Sequence, residues 1–241
     1  MKIEIDTHSH TLVSGHAYNT LREMAHMAAE KGLKGLAVTE HAPEMPGSTG
    51  LYYFQNLRVV PREMYGIRLL LGVELNIMDE EGTIDLPDHV VAGLDISIAS
   101  IHTPCFAGER TKEAVTGAYV NAMKNDCVDI IGHPDDGRFP TDYEQLVKAA
   151  KETGTLLEVN NTSLSPKGFR QNTKGNVKEM LEYCKAYKAM VVLGTDAHVD
   201  VAVGEYQYAR EILEETDFPW DLVANTSLEK LCSCLKRSRK A

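Results

Sequence analysis

The chain has 241 residues, 43% hydrophobic and 25% charged, with a formal net charge of −10. That length suits one α/β barrel domain spanning residues 1–241. The acidity argues against long nucleic acid as a partner, which needs Lys and Arg to neutralise phosphates, and no apolar run reaches the roughly 18 residues of a membrane span.

The opening Met1-Lys2-Ile3-Glu4-Ile5-Asp6 turns acidic at once and lacks the apolar run of a signal peptide, so a cytoplasmic location is expected. Short apolar runs follow at residues 3–7, 36–39, 69–75, 96–101, 129–132, 156–160 and 190–195. Most are rich in Val, Ile or Leu, the pattern of strands buried on both faces of a parallel sheet. A helix is expected over residues 20–31, where Thr20 and Glu23 form a capping box and Gly32 a terminator. Residues 43–66, with prolines, glycines and aromatics, read as a long loop with a short helix. Further helices are expected over 111–124, over 146–152 with a cap at Thr141 and Glu144 and a stop at Gly154, and over 176–188, 203–215 and 227–237. Seven strand–helix units predict a closed or nearly closed barrel. Residues 221–225 are the best candidate for an eighth strand.

Polar residues gather where the apolar runs end. In order these are Asp6-Thr7-His8-Ser9-His10, Thr39-Glu40-His41, Gly72-Val73-Glu74, Ser100-Ile101-His102, Gly132-His133-Pro134 and Thr195-Asp196-Ala197-His198, with His16 in the loop after the first run. Carboxyl ends of parallel barrel strands converge on one face, which holds the active site. Alternation along a strand puts His8 and His10 on one side, and likewise Asp196 and His198. Imidazole suits zinc, iron, nickel or copper; carboxylates also admit manganese and bridge ions. A lone histidine is more often a hydrogen-bonded core residue, but seven of the nine histidines fall at these ends. Burying them together without a metal would leave many unpaired donors and acceptors. His26, within a helix, and His89 are left outside the set. Nine ligands exceed one tetrahedral zinc and divide among three ions with open positions for water and substrate.

The ordered motifs D-x-H-x-H, T-E-H, G-x-E, I-H, G-H-P and T-D-A-H resemble the PHP (polymerase and histidinol phosphatase) family over nearly the whole chain. Residues 16–21, 158–163 and Gly204-Glu205 resemble its YcdX-like phosphatase branch. The resemblance implies a distorted (β/α)7 TIM-like barrel with outer helices and a trinuclear centre. By that resemblance His8, His10, Glu74 and Asp196 hold one ion, and His16, His41 and His198 a second. His102 and His133, with Glu74 bridging, hold the third. Zinc is the implied metal, with Mn2+ or Fe2+ as substitutes. The resemblance also allows a homotrimer.

The expected activity is hydrolysis of a small phosphorylated metabolite, a phosphomonoester, by metal-bound hydroxide; Glu74, Asp196 and His198 are expected to serve catalysis directly. Alternatives are a histidinol-phosphate phosphatase, a phosphodiesterase or nuclease of the same family, and a metal-binding protein without catalysis. Asp6 and, less strongly, Glu40 are candidates to orient ligating imidazoles. Arg138 and Lys167 are candidates to touch phosphate, against a plain reading as solvated charges. Asn160 and Asn161 either contact substrate or cap the loop. Cys105, Cys127, Cys184, Cys232 and Cys234 form no C-x-x-C pair and read as reduced thiols, Cys105 as an apolar filler near His102. Lys236-Arg237-Ser238-Arg239-Lys240 reads as a solvated tail.

Overall fold

A computed structural model describes residues 2–236. Every expected run becomes a strand: β1 (Ile5–Asp6), β2 (Gly35–His41), β4 (Ile67–Asn76), β5 (Ser97–Ser100), β6 (Ile130–Ile131), β7 (Leu156–Asn160) and β8 (Val191–Gly194). These pair in parallel in the order β1-β2-β4-β5-β6-β7-β8. A short strand β3 (Glu63–Met64), inside the stretch expected to be loop, pairs antiparallel with β4.

The helices are α1 (Leu21–Glu30), α2 (Leu51–Asn56), α3 (Asp88–Val91), α4 (Lys112–Met123), α5 (Tyr143–Thr153), α6 (Asn161–Leu164), α7 (Thr173–Tyr187), α8 (Gln207–Glu215) and α9 (Leu228–Cys234). Thr20 and Glu23 form the expected capping box on α1. The cap of α5 is Asp142, not Thr141: its side chain accepts from Gln145 N, while Thr141 donates to the Phe139 carbonyl. An α7 start at Thr173 and an α8 start at Gln207 also differ from expectation.

The sheet is nearly closed into a barrel, and the seam lies between β1 and β8. Above, a lone parallel bridge joins Ser9 to Ala197. Below, Asn225 fills the gap. Its Oδ1 accepts from Leu193 N at 3.0 Å, and its Nδ2 donates to the carbonyls of Ile5 at 2.9 Å and Leu193 at 2.8 Å. Residues 221–225 are therefore no eighth strand. They are 3-10 turns carrying one bridge, Val223 to Val191, and a side-chain amide that substitutes for strand backbone.

Two cores result. A large one lies between strands and outer helices. A smaller one fills the lower barrel with Ile5, Ala37, Leu70, Ile98, Ile130, Leu156 and Val192, closed from below by Leu231 and Leu235 at α9. Lys236 is not a solvated charge. It is 6% exposed, and its Nζ donates to the carbonyls of Met123 at 2.7 Å and Asn125 at 3.1 Å. The remaining basic residues of that cluster, 237–240, lie outside the described residues.

Period-two alternation carries each inward face from oil to chemistry. Going up β4 it reads Leu70, Gly72, Glu74, Asn76; up β7 it reads Leu156, Glu158, Asn160. Apolar residues pack the bottom, and ligand-type groups crown the carboxyl ends, where barrel active sites sit.

Candidate metal centre

The structure brings all nine expected donors to one mouth of the barrel. Five separations among His8 Nε2, His10 Nε2, Glu74 Oε2 and Asp196 Oδ1 lie between 3.1 and 3.6 Å. Donors about 2.0–2.1 Å from one tetrahedral ion stand about 3.3–3.4 Å apart, so this quartet has the dimensions of a cation site. Glu74 Oε1 faces the other way, 3.2 Å from His102 Nε2 and 2.9 Å from His133 Nε2. His16 Nε2 and His41 Nε2 are 3.2 Å apart, and the rings of His16 and His198 lie 4.8 Å centre to centre. His10, His41 and His198 form a further compact group, as do His41, Glu74 and His102. The donors thus form one continuous cluster centred on Glu74.

Glu74 and His41 carry a sign of unmet demand. His41 Nδ1 stands 2.8 Å from Glu74 Oε2, yet the angle makes no hydrogen bond, and both buried atoms lack a hydrogen-bond partner. Orphaned buried polar atoms of this kind call for an explanation, and a cation between such donors supplies it.

Hydrogen bonding at Nδ1 aims several rings. His8 Nδ1 contacts Glu158 Oε1 at 2.7 Å, His102 Nδ1 contacts Asn76 Oδ1 at 2.7 Å, and His198 Nδ1 contacts the Asp196 carbonyl at 3.0 Å. Ser14 Oγ donates to Glu40 Oε2 at 2.6 Å, so it accepts from His10 Nδ1 at 3.1 Å. Each acceptor holds the proton on Nδ1 and leaves the Nε2 lone pair for the cluster. Asn76 is itself turned by donating Nδ2 to Asp85 Oδ2 at 2.6 Å.

Local backbone explains how the loops reach. Thr11 caps a 3-10 turn over Leu12–Ser14, and Gly15 ends it at φ +80°, where any Cβ would strike the Gly47 carbonyl. That turn places Ser14 inward and leaves His16 exposed at the mouth. His133 at φ +28° and Asp196 at φ +56° sit in the left-handed region. Such strain concentrates at functional sites and needs support from the surrounding structure.

Burial and neighbouring positive charge push His16, His41, His133 and His198 down, His198 to about 4. These rings are neutral at neutral pH, the form that ligates metal. Burial works against ionised Glu74 and Asp196, but His8 and its fellow imidazoles hold both well below the usual carboxylate range. At His8 burial opposes the charge, yet Glu158, Glu74 and Asp196 raise it well above the ordinary value. Carboxylates that attract a proton so strongly favour a cation by the same field.

Several expected roles shift. Asp6 contacts no imidazole: it accepts from Thr195 N and Oγ1, His8 N and Gly204 N. β1 ends at Asp6, so regular alternation does not carry through to His8. The carboxylate that orients His8 is Glu158, and Glu40 acts on His10 only through Ser14. Lys167 is exposed and outside the cavity, whereas Arg138 lines it but pairs with Asp136. Asn160 caps α6, donates Nδ2 to Glu158 at 3.1 Å and stands 3.4 Å from Asp196; Asn161 accepts from Ala209 N, away from the cluster. Cys105 is buried with its Sγ toward the Glu44 carbonyl, and His26 is exposed on α1. Glu158 had a sequence signal, a lone acid amid an apolar strand. Arg170, which donates to Asp196 Oδ2 at 3.1 Å, had none.

Above the cluster is a cavity of about 380 Å³, bordered by His16, His41, His102, His133, Asp196 and His198 and by Met45, Ile101, Pro104, Phe169 and Arg170. No helix among the described residues is long and apolar enough to cross a membrane.

Comparison with known proteins agrees with this arrangement. A chain from Acetivibrio thermocellus named as a probable phosphatase is 43% identical over 240 residues, covering 100% of this chain and 98% of that relative. A histidinol phosphate phosphatase from Lactococcus lactis, solved with zinc, L-histidinol and phosphate, superposes with TM-score 0.63 at 18% identity, covering 91% of this chain and 95% of that one. A chain of archaeal ribonuclease P solved with mature tRNA superposes with TM-score 0.60 at 16% identity, covering 98% and 91%. Likeness at that level speaks for the barrel alone. The model of the PHP domain matches residues 6–217, a span that contains every donor from His8 to His198, and this chain belongs to the PHP domain family.

Proposed function

We propose that this chain is a single-domain, metal-dependent phosphomonoesterase acting on a small phosphorylated metabolite. His8, His10, Glu74 and Asp196 would hold one divalent cation, His16, His41 and His198 a second, and His102 and His133 a third shared through Glu74. Zinc suits this imidazole-rich set, with Mn2+ or Fe2+ as substitutes. The observation that carries the reading is the position of Glu74, whose two buried oxygens face different sets of ring nitrogens. Divalent cations at such a centre supply Lewis acidity and lower the pKa of bound water to about 7.

The chain's own groups do the rest. Glu74 and Asp196 offset only two of the six positive charges of three cations, so the pocket is electropositive within an acidic protein and draws in a phosphate. Glu158, Ser14 and Asn76 keep the imidazoles aimed. The cavity volume of about 380 Å³ fits a small metabolite and not a polymer groove. The phosphatase name of a relative 43% identical supports the same reaction class.

Metal analysis with hydrolysis of an aryl phosphate and a panel of phosphorylated metabolites, histidinol phosphate included, tests this. Three cations per chain and monoester turnover are expected. Three cations with no turnover favour a non-catalytic metal protein, and faster diester cleavage favours a phosphodiesterase. Glu74→Ala should lose cations and activity together; full activity in that variant contradicts the bridging role. The homotrimer the family allows is read by light scattering.

A further inference from the structure

Among the described residues, two carboxylates border the cavity, Asp136 and Asp196, and both are engaged. Asp136 accepts from Arg138 on both oxygens, at 2.5 to 3.0 Å, and from Gln171 N at 3.3 Å. Asp196 turns Oδ1 toward His8 and His10, and its Oδ2 accepts from Arg170 at 3.1 Å. No Asn, Gln or Glu among the described residues borders the cavity, whereas Met45, Ile101, Pro104 and Phe169 do. An ammonium on a leaving group would find no free carboxylate there, in a pocket that the cations make electropositive. Sugar hydroxyls would find few partners, and a polar group buried without one is costly.

Phe169, in the loop between α6 and α7, is 68% exposed, yet its ring is held. The guanidiniums of Arg138 and Arg170 lie over it, with Cζ 5.2 and 5.1 Å from the ring centre, within cation–π range. Its loop is also tied to the loop after β6, where Gly137 N donates to the Gln171 carbonyl at 2.7 Å. A Cβ on Gly137 would lie 2.8 Å from that oxygen, so glycine permits the approach. A ring fixed in this way needs little further ordering when a second ring packs on it. We propose that Phe169 is the platform on which the leaving group stacks, with Met45, Ile101 and Pro104 completing an apolar pocket. The substrate is then the phosphomonoester of an uncharged aromatic alcohol. This rests on the phosphomonoesterase reading and names its substrate class.

Calorimetric binding of benzylphosphonate and aminoethylphosphonate to the metal-loaded protein, with metal content measured on the same samples, tests the platform. The P–C bond of a phosphonate resists hydrolysis, so binding is read apart from turnover. Wild type should bind benzylphosphonate at least roughly tenfold more tightly, since ring burial and an unpaired ammonium act together. Phe169→Ala should keep its cations and weaken benzylphosphonate roughly three- to tenfold, the worth of an aromatic pair. Phe169→Tyr restores a ring and should return the affinity to within about twofold of wild type. Tyr52→Ala removes an aromatic that is 83% exposed outside the cavity, and should shift neither affinity by more than about twofold. Equal affinity for the two phosphonates overturns the proposal, as does undiminished benzylphosphonate affinity in Phe169→Ala. So does loss of cations in that variant, or a wild type that binds neither compound. Turnover of the matching phosphate esters separates the two readings. A benzylphosphonate preference without turnover of any monoester leaves the platform standing and removes the enzymatic reading. Hydrolysis of benzyl and aminoethyl phosphates with equal kcat/KM overturns the platform and leaves the enzyme.

Discussion

Replacing Glu158 by glutamine tests whether the imidazoles are aimed from behind. The carboxylate is fully buried and receives three donors: His8 Nδ1 at 2.7 Å, His133 N at 2.8 Å and Asn160 Nδ2 at 3.1 Å. An amide has one acceptor oxygen and presents two N–H donors of its own. At least one of the three donors must then face another donor, and the negative charge that holds the His8 proton on Nδ1 is gone. Loss of such an orienting partner weakens metal binding roughly 10–100-fold, or ~1.4–2.8 kcal/mol at tenfold per 1.4 kcal/mol. Chelator competition monitored by mass spectrometry reads this. The loss should fall on the cation proposed for His8, His10, Glu74 and Asp196, with kcat falling alongside. Cation affinity within about twofold of wild type would refute the idea that Glu158 orients the cluster.

Gly194→Ala attacks the same carboxylate sterically. A Cβ there would overlap Glu158 Oε1 and lie 2.9 Å from His8 Cβ. Overpacking typically costs ~1–3 kcal/mol, so thermal melting should show lower stability and metal analysis fewer cations; a fully loaded variant of wild-type stability would contradict the packing. Asn225→Ala should destabilise by about 2 kcal/mol, since it strands the Leu193 N–H in the seam and leaves the Ile5 carbonyl only the Tyr206 hydroxyl at 3.4 Å, and denaturant midpoints will show whether the seam carries that load. Asp142→Ala removes the α5 cap and should cost about 1 kcal/mol without changing kcat; an unchanged melting temperature would argue against the cap.

Much of the architecture was legible because the parallel strands are buried on both faces. Their Val-, Ile- and Leu-rich runs stand out, and all seven appear where expected. Caps were legible only where one candidate stood alone. Thr20 and Glu23 behave as read, but Thr141 and Asp142 are adjacent, and which one caps depends on Thr141 being drawn to the Phe139 carbonyl. Asn225 was legible only as a weak strand residue. Its role arises because β1 and β8 stop short of pairing, which local propensity does not encode.

The same division runs through the metal centre. The histidines at strand ends identify themselves, because a repeated excess of imidazole at one end of successive strands has little use except at a shared site. Alternation failed at Asp6, where the strand stops and the side chain turns to Thr195 and Gly204.

From residue order alone came the parallel barrel and the set of imidazole and carboxylate side chains that gather at its mouth, since hydrophobic periodicity and strand-end position are local properties. Only the tertiary structure decided which carboxylate backs which imidazole, that Glu74 faces two ways, and that Arg170 meets Asp196. Those pairings join residues up to 150 positions apart, as with His8 and Glu158, and no local pattern records which distant side chain closure of the barrel brings into reach.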